Sequence, residues 1–437
     1  MGFVSRRLPV VCVVLLAAST AIAAAPTLTR EQGRAAVDEV LRLVGAHYVF
    51  PDKRPAIIAA VKAARDAGNY DVANPQEMAA KLTEDLAKAS EDGHLYVNYN
   101  PAQFADLSRP AGRNEPSQFA LNAGRESNDG YDEQKVLSGN VRYVRVSAFI
   151  WSEKTTPPIV DAAARFLANG DAIVIDLRGN GGGDAQAVQR LASYFFAGGT
   201  QELVRFHDGL SGRTEINRVL AKLPAPRLTG KPLYVLTDGG TASAAEEFAY
   251  HIQQFKLGTL VGQTTAGAAN NNQLFPVAPF FVASVSVGRP EHPVSRTNWE
   301  RVGIAPHVAM PSADALNQAH LMALKTLAAR GTQAQRDGYN WDIAALEATL
   351  KPVQLSAQAL DAYVGTYGVR RIWREGTRLK FQREQRPPSD LIAMGEDLFG
   401  LANAASVRLR FRRENGRVVA FDQVTKAGIV GTVERTE

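Results

Sequence analysis

The stretch best suited to chemistry is residues 236–247, Leu-Thr-Asp-Gly-Gly-Thr-Ala-Ser-Ala-Ala-Glu-Glu. The apolar run before it, residues 232–236, predicts a buried strand, and the apolar spacing after it predicts a helix over 244–255. Ser243 therefore lies where a strand turns into a helix, a geometry that exposes a hydroxyl beside helix N-terminal N–H groups. Two interpretations are open at this point: a nucleophile held in a sharp turn, or a serine that only caps a helix.

A run of glycines, Gly181-Gly182-Gly183, is a second candidate site. It follows residues 172–177, which predict a buried strand, and it opens a predicted helix over 185–196. Glycine lets backbone N–H groups approach an oxygen closely, so the run suits a phosphate, an oxyanion or a simple tight turn. The Lys-Ser/Thr of a Walker motif and the spaced Gly-x-Gly-x-x-Gly fingerprint are both missing, which weakens the nucleotide interpretation.

Acyl transfer by a serine also needs a base, a group that orients the base, and an oxyanion hole. The chain has 7 histidines, and their positions alone do not select one. His251 follows Ser243 by two helical turns, which places its side chain roughly 10 Å or more away by helix rise. His94 follows a glycine turn that leaves a predicted helical region, so it is one of several candidates for a cleft-lining residue.

Four motifs occur in a fixed order along the chain: Asp176-Leu-Arg-Gly-Asn-Gly-Gly-Gly183, Gly240-Thr-Ala-Ser-Ala-Ala-Glu246, Val261-Gly-Gln-Thr-Thr-Ala-Gly267 and Val302-Gly-Ile-Ala-Pro306. Together they resemble the tail-specific (C-terminal-processing) serine peptidase family over roughly residues 30–330. The resemblance implies a crotonase/ClpP-like α/β core with Ser243 as the nucleophile. It also implies an oxyanion hole made by the N–H of Ala244 and one N–H of the glycine run, Gly183 ahead of Gly182.

The resemblance further distinguishes two branches of that family. One branch uses a lysine in a Gly-Lys-Gly and carries a PDZ domain, but here the corresponding residues are Gly267-Ala268-Ala269, and there is no room for that domain. The other branch is similar to the tricorn core protease and the interphotoreceptor retinoid-binding protein modules. It implies His94 as the base and Glu300 as the residue that orients this base. No metal and no cofactor are implied.

The predicted fold class is α/β, with an N-terminal helical domain and a small all-β domain at the C-terminus that resembles a lipocalin. The predicted boundaries are 1–23 for a signal peptide, 27–112 for the helical domain, 113–330 for the peptidase core, 331–359 for a helical linker and 360–437 for the β-domain. Within them, residues 100–115 are interpreted as a linker and residues 119–122 as a strand. Alternating strands and helices in the core predict a mostly parallel sheet.

The first residues predict export. Arg6 and Arg7 precede an apolar run that ends in an Ala-x-Ala site, so a cleavable signal and a periplasmic or secreted protein with no stable membrane anchor are expected. The only cysteine, Cys12, lies in this segment. The net charge of +5, which falls by two without Arg6 and Arg7, does not favour nucleic acid as a partner. Arg408, with Arg410 and Arg412, is interpreted as the solvent face of a strand.

The sequence therefore predicts an exported serine peptidase that acts on peptides or proteins, with a homo-oligomer left open. Two alternatives also stay open. The fold could serve as a non-proteolytic binding module for an apolar ligand, as the retinoid-binding modules imply. It could also belong to a crotonase-type acyl-thioester enzyme, which the predicted export disfavours.

Overall fold

The computed structural model describes residues 27–109, 118–209, 211–351 and 353–437. The predicted signal peptide with Cys12, and residues 110–115 of the predicted linker, lie outside the described residues. None of the helices in the described ranges combines the length and apolar character that a membrane crossing requires.

The helices of the described chain are α1 (Arg30–His47), α2 (Arg54–Asp66), α3 (Pro75–Ser90), α4 (Pro101–Leu107), α5 (Gln118–Ser127), α6 (Thr156–Ala168), α7 (Ala185–Ser193), α8 (Ala244–Gln254), α9 (Ala315–Arg330), α10 (Gln333–Leu350) and α11 (Ala357–Asp361). Single 3-10 turns lie at Pro51–Lys53, Asn128–Gly130, Ser138–Asn140 and Ser312–Asp314.

The strands of the first three quarters of the chain are β1 (Tyr96–Tyr99), β2 (Glu133–Leu137), β3 (Val141–Arg145), β4 (Ala172–Asp176), β5 (Glu202–Asp208), β6 (Thr214–Arg218), β7 (Leu233–Thr237), β8 (Thr259–Gly262), β9 (Asn271–Val277), β10 (Phe281–Glu291) and β11 (Val308–Ala309). Those of the C-terminal region are β12 (Gly365–Tyr367), β13 (Arg370–Glu375), β14 (Arg378–Arg383), β15 (Ser389–Gly395), β16 (Leu398–Leu401), β17 (Ala404–Glu414), β18 (Arg417–Thr425) and β19 (Gly428–Glu434).

The central sheet has the order β11-β8-β7-β4-β3-β2. Its strands are parallel except for the edge strand β2, as the alternating pattern predicts. Because successive side chains of a strand point to opposite faces, α6, α7 and α8 cover one face and α9 with α10 covers the other. β4 and β7 are neighbours, paired at Asp176 and Leu236. The glycine run that follows β4 and Ser243, which follows β7, therefore lie at the same edge of the sheet.

A second, antiparallel sheet has the order β1-β10-β5-β6, and β9 also pairs with β10. The helices α1, α2 and α3 pack on this sheet, so residues such as Val44 and Leu82 share one core with Phe281 and Val285. β1 pairs with β10 at Tyr96 and Ser284. This pairing fixes the position of the turn just before β1, which carries His94.

The C-terminal strands β12 to β19 pair in sequence. Thr436 N–H donates to the carbonyl of Thr366 at 2.8 Å, and Thr366 N–H donates to the carbonyl of Glu437 at 3.1 Å, so the last residues close the sheet onto β12. The predicted α/β class with an N-terminal helical region and a C-terminal all-β domain is confirmed.

The prediction that Arg408 faces solvent is wrong. Its side chain is 7% exposed, and the guanidinium stacks over the ring of Trp341 at 3.7 Å. Trp341 belongs to α10, so this contact attaches the β-domain to the helix that packs behind α9. A strand pattern gives the alternation of faces, but it does not show that a neighbouring helix covers one of them.

Two further expectations differ from the structure. Residues 119–122, predicted as a strand, belong to α5, since Gln118–Ser127 lacks β-branched residues and is rich in helix formers. Part of the predicted linker is the helix α4, which begins with Pro101 and is capped by the Asn100 side chain accepting from the N–H of Gln103 at 3.0 Å.

Candidate active site

Ser243 lies between β7 and α8 in a conformation that is unusual for a residue with a side chain. Its φ of 51° and ψ of −123° are in the positive-φ region, and α8 begins at the next residue, Ala244. Such backbone strain persists where the surrounding contacts enforce it, and it is characteristic of functional turns. The predicted strand–turn–helix geometry around Ser243 is thus present.

The glycine run packs directly against this turn. A Cβ on Gly182 would lie 2.6 Å from the Cβ of Ser243 and 3.0 Å from the N of Ala244. A Cβ on Gly183, whose φ is 141°, would overlap the carbonyl oxygen of Phe149. Both positions therefore require glycine, because a side chain would collide with the Ser243 turn at Gly182 and with Phe149 at Gly183.

The three predicted oxyanion-hole donors differ in what their N–H groups do. The N–H of Gly182 donates to the side-chain oxygen of Asn180 at 2.8 Å, so it is not available to a ligand. For Gly183 and Ala244, by contrast, no acceptor for the N–H exists in the described part of the chain. Of the two predicted glycine donors, Gly183 is therefore the one whose N–H lacks an acceptor among the described residues, and the oxyanion hole itself stays a prediction.

Asn180 has a role that the sequence did not reveal. It is fully buried, its Nδ2 donates to the carbonyl of Val146 at 2.8 Å, and its own carbonyl accepts from the N–H of Ala242 at 2.9 Å. Its side-chain oxygen accepts from Gly182 and its backbone carbonyl accepts from Ala242, so this one residue ties the glycine run to the turn that carries Ser243. The only indication in the sequence was an asparagine directly before three glycines.

Glu246 connects the Ser243 turn to a second loop. This fully buried carboxylate accepts from the N–H of Ser243 at 3.0 Å, of Gly267 at 2.7 Å and of Ala268 at 2.8 Å, and from the hydroxyl of Thr265 at 2.5 Å. Burial raises the pKa of Glu246, and the four donors act in the opposite direction. Residues 265–268 are thereby held against the start of α8.

His94 lies in the turn before β1. Its N–H donates to Oδ1 of Asp92 at 2.8 Å, and its carbonyl accepts from the hydroxyl of Ser284 on β10 at 2.5 Å. The residue is 7% exposed, and Nδ1 of its ring has no hydrogen-bond partner among the described residues. Burial lowers the pKa of His94, which favours a neutral imidazole that can accept a proton.

Glu300 lies beside His94. Oε2 of Glu300 accepts from the N–H of Ala269 at 2.6 Å and of Asn270 at 2.9 Å, while Oε1 is buried and has no partner among the described residues. Burial, with the nearby charge of Asp92, raises the pKa of Glu300 to about 7. A free carboxyl oxygen next to a free ring nitrogen is what a base and its orienting residue need.

Asp92, His94 and Glu300 each place one potential ligand atom within 4.8 Å of the others, which makes them a possible metal site within the described residues. Both oxygens of Asp92 already accept hydrogen bonds, Oδ1 from His94 N–H and Oδ2 from Asn270 Nδ2 at 3.0 Å. The sequence did not single out Asp92, although it opens the Asp-Gly-His turn. Its bonds hold the turn that carries His94.

The structure brings His94 and Glu300 together, and it connects them to Ser243 through residues 265–270. Glu246 holds one end of that segment and Glu300 holds the other. Ser243 and Ala244 line a cavity of about 610 Å³, as do Ala269 and Asn270. A strained serine, two unpartnered N–H groups and a histidine–carboxylate pair on an α/β core define the class of serine hydrolases.

Comparison with known proteins gives a family resemblance. Residues 140–310 match the model of peptidase family S41, and residues 17–126 match the model described as the N-terminal domain of peptidase S41 in eukaryotic IRBP. The residues matched by these two models thus resemble peptidase family S41. The predicted resemblance to the tail-specific peptidases is confirmed.

Curated relatives carry the same description. A carboxyl-terminal-processing protease of Picosynechococcus is 30% identical over 186 residues, which cover 42% of this chain and 42% of that protein. The carboxy-terminal processing protease CtpA of Bacillus subtilis is 30% identical over 139 residues, 31% of this chain and 28% of that protein. The matched stretches thus span less than half the length of these relatives.

Solved structures of the same kind were also found. The photosystem II D1 C-terminal processing protease aligns with 64% of this chain and 93% of its own, at 18% identity and a TM-score of 0.41. The tricorn protease aligns with 66% of this chain and 35% of its own, at 10% identity and a TM-score of 0.39. At these scores the likeness says nothing about activity.

Proposed function

We propose that this chain is an exported serine peptidase that cleaves peptide bonds through an acyl-enzyme. Ser243 attacks the scissile carbonyl and His94 takes the proton of its hydroxyl. His94 then returns that proton to the leaving amine, after which a water molecule, activated in the same way, releases the acyl group. Glu300 fixes the ring orientation of His94 and stabilises the imidazolium that forms.

The observation that carries this proposal is the turn at Ser243. The hydroxyl-bearing residue has a strained backbone at the first turn of α8, next to two N–H groups, of Gly183 and Ala244, that have no acceptor in the described chain. Two such donors would bind the oxygen that becomes negative in the tetrahedral intermediate, and removal of one typically costs about 2.7–4 kcal/mol of transition-state stabilisation. A serine that only capped a helix would need neither the strain nor the glycine run.

The surroundings of His94 support its role as the base. The neutral state favoured for His94 suits proton acceptance, and Nδ1 of His94 and Oε1 of Glu300 both lack a hydrogen-bond partner among the described residues. The two side chains place potential ligand atoms within 4.8 Å of each other. The match of residues 140–310 to peptidase family S41 supports peptides or proteins as substrates. Export is supported by the first residues of the sequence alone, and N-terminal sequencing of the mature protein from the periplasm or medium tests it.

The decisive experiment is intact-mass analysis after exposure to a fluorophosphonate probe, together with peptide turnover. The native chain should gain one adduct, and Ser243→Ala should lose both the adduct and at least about 10³-fold of the turnover, since the nucleophile is removed. His94→Ala should lose the adduct as well. Ser211→Ala is the matched control, because Ser211 lines the same cavity and its variant should be labelled like the native chain.

Two results would overturn the proposal. The first is peptide cleavage that persists in Ser243→Ala. The second is a native chain that gains no adduct but releases a bound lipid on extraction, which would favour the non-proteolytic binding module.

A further inference from the structure

The cavity next to Ser243 has an excess of acidic side chains. Among the described residues that line it, the carboxyl groups are those of Asp184, Asp208, Glu215 and Glu247, and the one guanidinium is that of Arg213. His207, which also lines it, contacts Thr214 and Glu291 through its two ring nitrogens. A cavity lined by one sign of charge attracts ligand groups of the opposite sign.

Among the carboxyl groups that line the cavity, Glu247 lies nearest to Ser243 along the chain. It lies four residues after Ser243 on α8, and residues at this spacing are on the same face of a helix. It is 4% exposed, yet it lines the cavity together with Ser243 and Ala244. Asp184, directly after Gly183, lines the same cavity, and its charge acts on Glu247.

The described chain offers Glu247 little compensation for its burial. Its hydrogen-bond partner is Nε2 of His251 at 3.3 Å, and no Lys or Arg in the described ranges forms an ion pair with it. Burial lowers the pKa of His251 to about 3, so this imidazole is neutral and does not balance a negative charge. Burial, with the nearby charge of Asp184, raises the pKa of Glu247 well above its ordinary value, because a buried carboxyl without a cation is costly when ionised. A cation that entered the cavity would lower that cost and favour the carboxylate.

We propose that Glu247, with Asp184 beside it, selects substrates that carry a Lys or Arg side chain next to the scissile bond. The inference rests on the proposed function, since it assigns a substrate class to the same site. The ammonium or guanidinium of the substrate donates hydrogen bonds to the Glu247 carboxylate. The neutral imidazole of His251 contacts Oε1 of the same carboxylate through Nε2. Because Glu247 lies in the first helical turn after Ser243, a substrate side chain bound to it lies close to the scissile bond.

The test compares matched peptides with the full-length chain. Lysine and norleucine differ chiefly by the charged terminal amine, so each is placed immediately before the scissile bond in one peptide pair and immediately after it in another. At one of these positions, the kcat/KM for lysine should exceed that for norleucine at least about tenfold, as expected for a desolvated charge pair. In Glu247→Gln this ratio should fall to near one.

A control variant and a second, independent measurement test the same selectivity for a cationic side chain. Glu133→Gln removes an acidic side chain from the edge strand β2, outside the cavity, and should keep the native ratio. In the native chain, n-butylguanidinium should slow labelling of Ser243 by the fluorophosphonate more than the neutral n-butylurea does, which requires no variant.

The inference is overturned if the native ratio is near one at both positions, or if Glu247→Gln leaves the ratio unchanged. It is also overturned if the guanidinium and the urea slow labelling equally. A failure of the proposed function is distinguishable from these results, because a chain that is not labelled at Ser243 fails before any selectivity can be measured.

Discussion

Two glutamates, the buried Glu246 and the half-buried Glu300, hold the two ends of the same loop, and their carboxylate oxygens have different numbers of hydrogen-bond partners. Around Glu246, four donors surround the carboxylate and both of its oxygens have partners. Around Glu300, two backbone N–H groups bind Oε2, and Oε1 has no partner among the described residues. Both residues accept hydrogen bonds from residues 265–270.

The difference between these regions indicates a difference in role. A carboxylate whose acceptor positions are filled by the backbone fixes a loop, and it has no capacity left for a reacting group. A buried oxygen without a partner is costly unless something uses it, and here the unpartnered Nδ1 of His94 is nearby. Glu246 is therefore the structural member of the pair, and Glu300 is the member available to the chemistry.

The largest expected effect is on turnover in Glu300→Gln. The amide keeps the size of the side chain but cannot hold the imidazole in the productive tautomer, so kcat should fall about 10³- to 10⁴-fold, as in other serine hydrolases that lose the orienting carboxylate. A slow fluorophosphonate adduct should still form on Ser243. Glu414→Gln, on β17, is the control with native turnover. A Glu300→Gln rate within threefold of native would remove Glu300 from the site.

The next effect is on stability in Glu246→Ala. The change leaves the N–H groups of Ser243, Gly267 and Ala268 and the hydroxyl of Thr265 without their acceptor, so the free energy of unfolding should fall by about 3 kcal/mol. Urea denaturation measures it. Glu300→Gln, by comparison, should stay within about 1 kcal/mol of native. Equal losses in the two variants would contradict the division of roles drawn above.

The smallest effect is a pH dependence of the labelling rate. The pKa of Glu300 is raised above its ordinary value to about 7, so the carboxylate predominates only above that pH. The pKa of His94 is lowered, so its imidazole is already neutral there. The rate should therefore rise through pH 7 and fall by up to about tenfold per unit below it. Circular dichroism should show a folded chain from pH 5 to 9.

Glu300→Gln provides the control for this profile, since the step near pH 7 should disappear from its residual rate. A native profile that is flat between pH 6 and 8, or a step that persists in Glu300→Gln, would mean that another group titrates.

Local sequence patterns were sufficient to predict several features of the structure. The apolar run, the turn and the helical spacing around Ser243 fixed the strand–turn–helix geometry, because each depends on neighbours in the sequence. The motifs also directed attention to the glycine run, to His94 and to Glu300. Where propensities were mixed, as at residues 119–122, the prediction of a strand was wrong, since the helix formers of α5 prevailed.

What the sequence by itself determined was the family resemblance, the order of the elements and the candidate reacting residues. Only the tertiary structure decided which of them meet. Three features join residues far apart in the chain: the bond from Ala242 N–H to the Asn180 carbonyl, the loop held by Glu246, and the acidic cavity around Glu247. A hydrogen bond between distant residues depends on the packing of whole elements, and no local pattern encodes which donors that packing leaves without a partner.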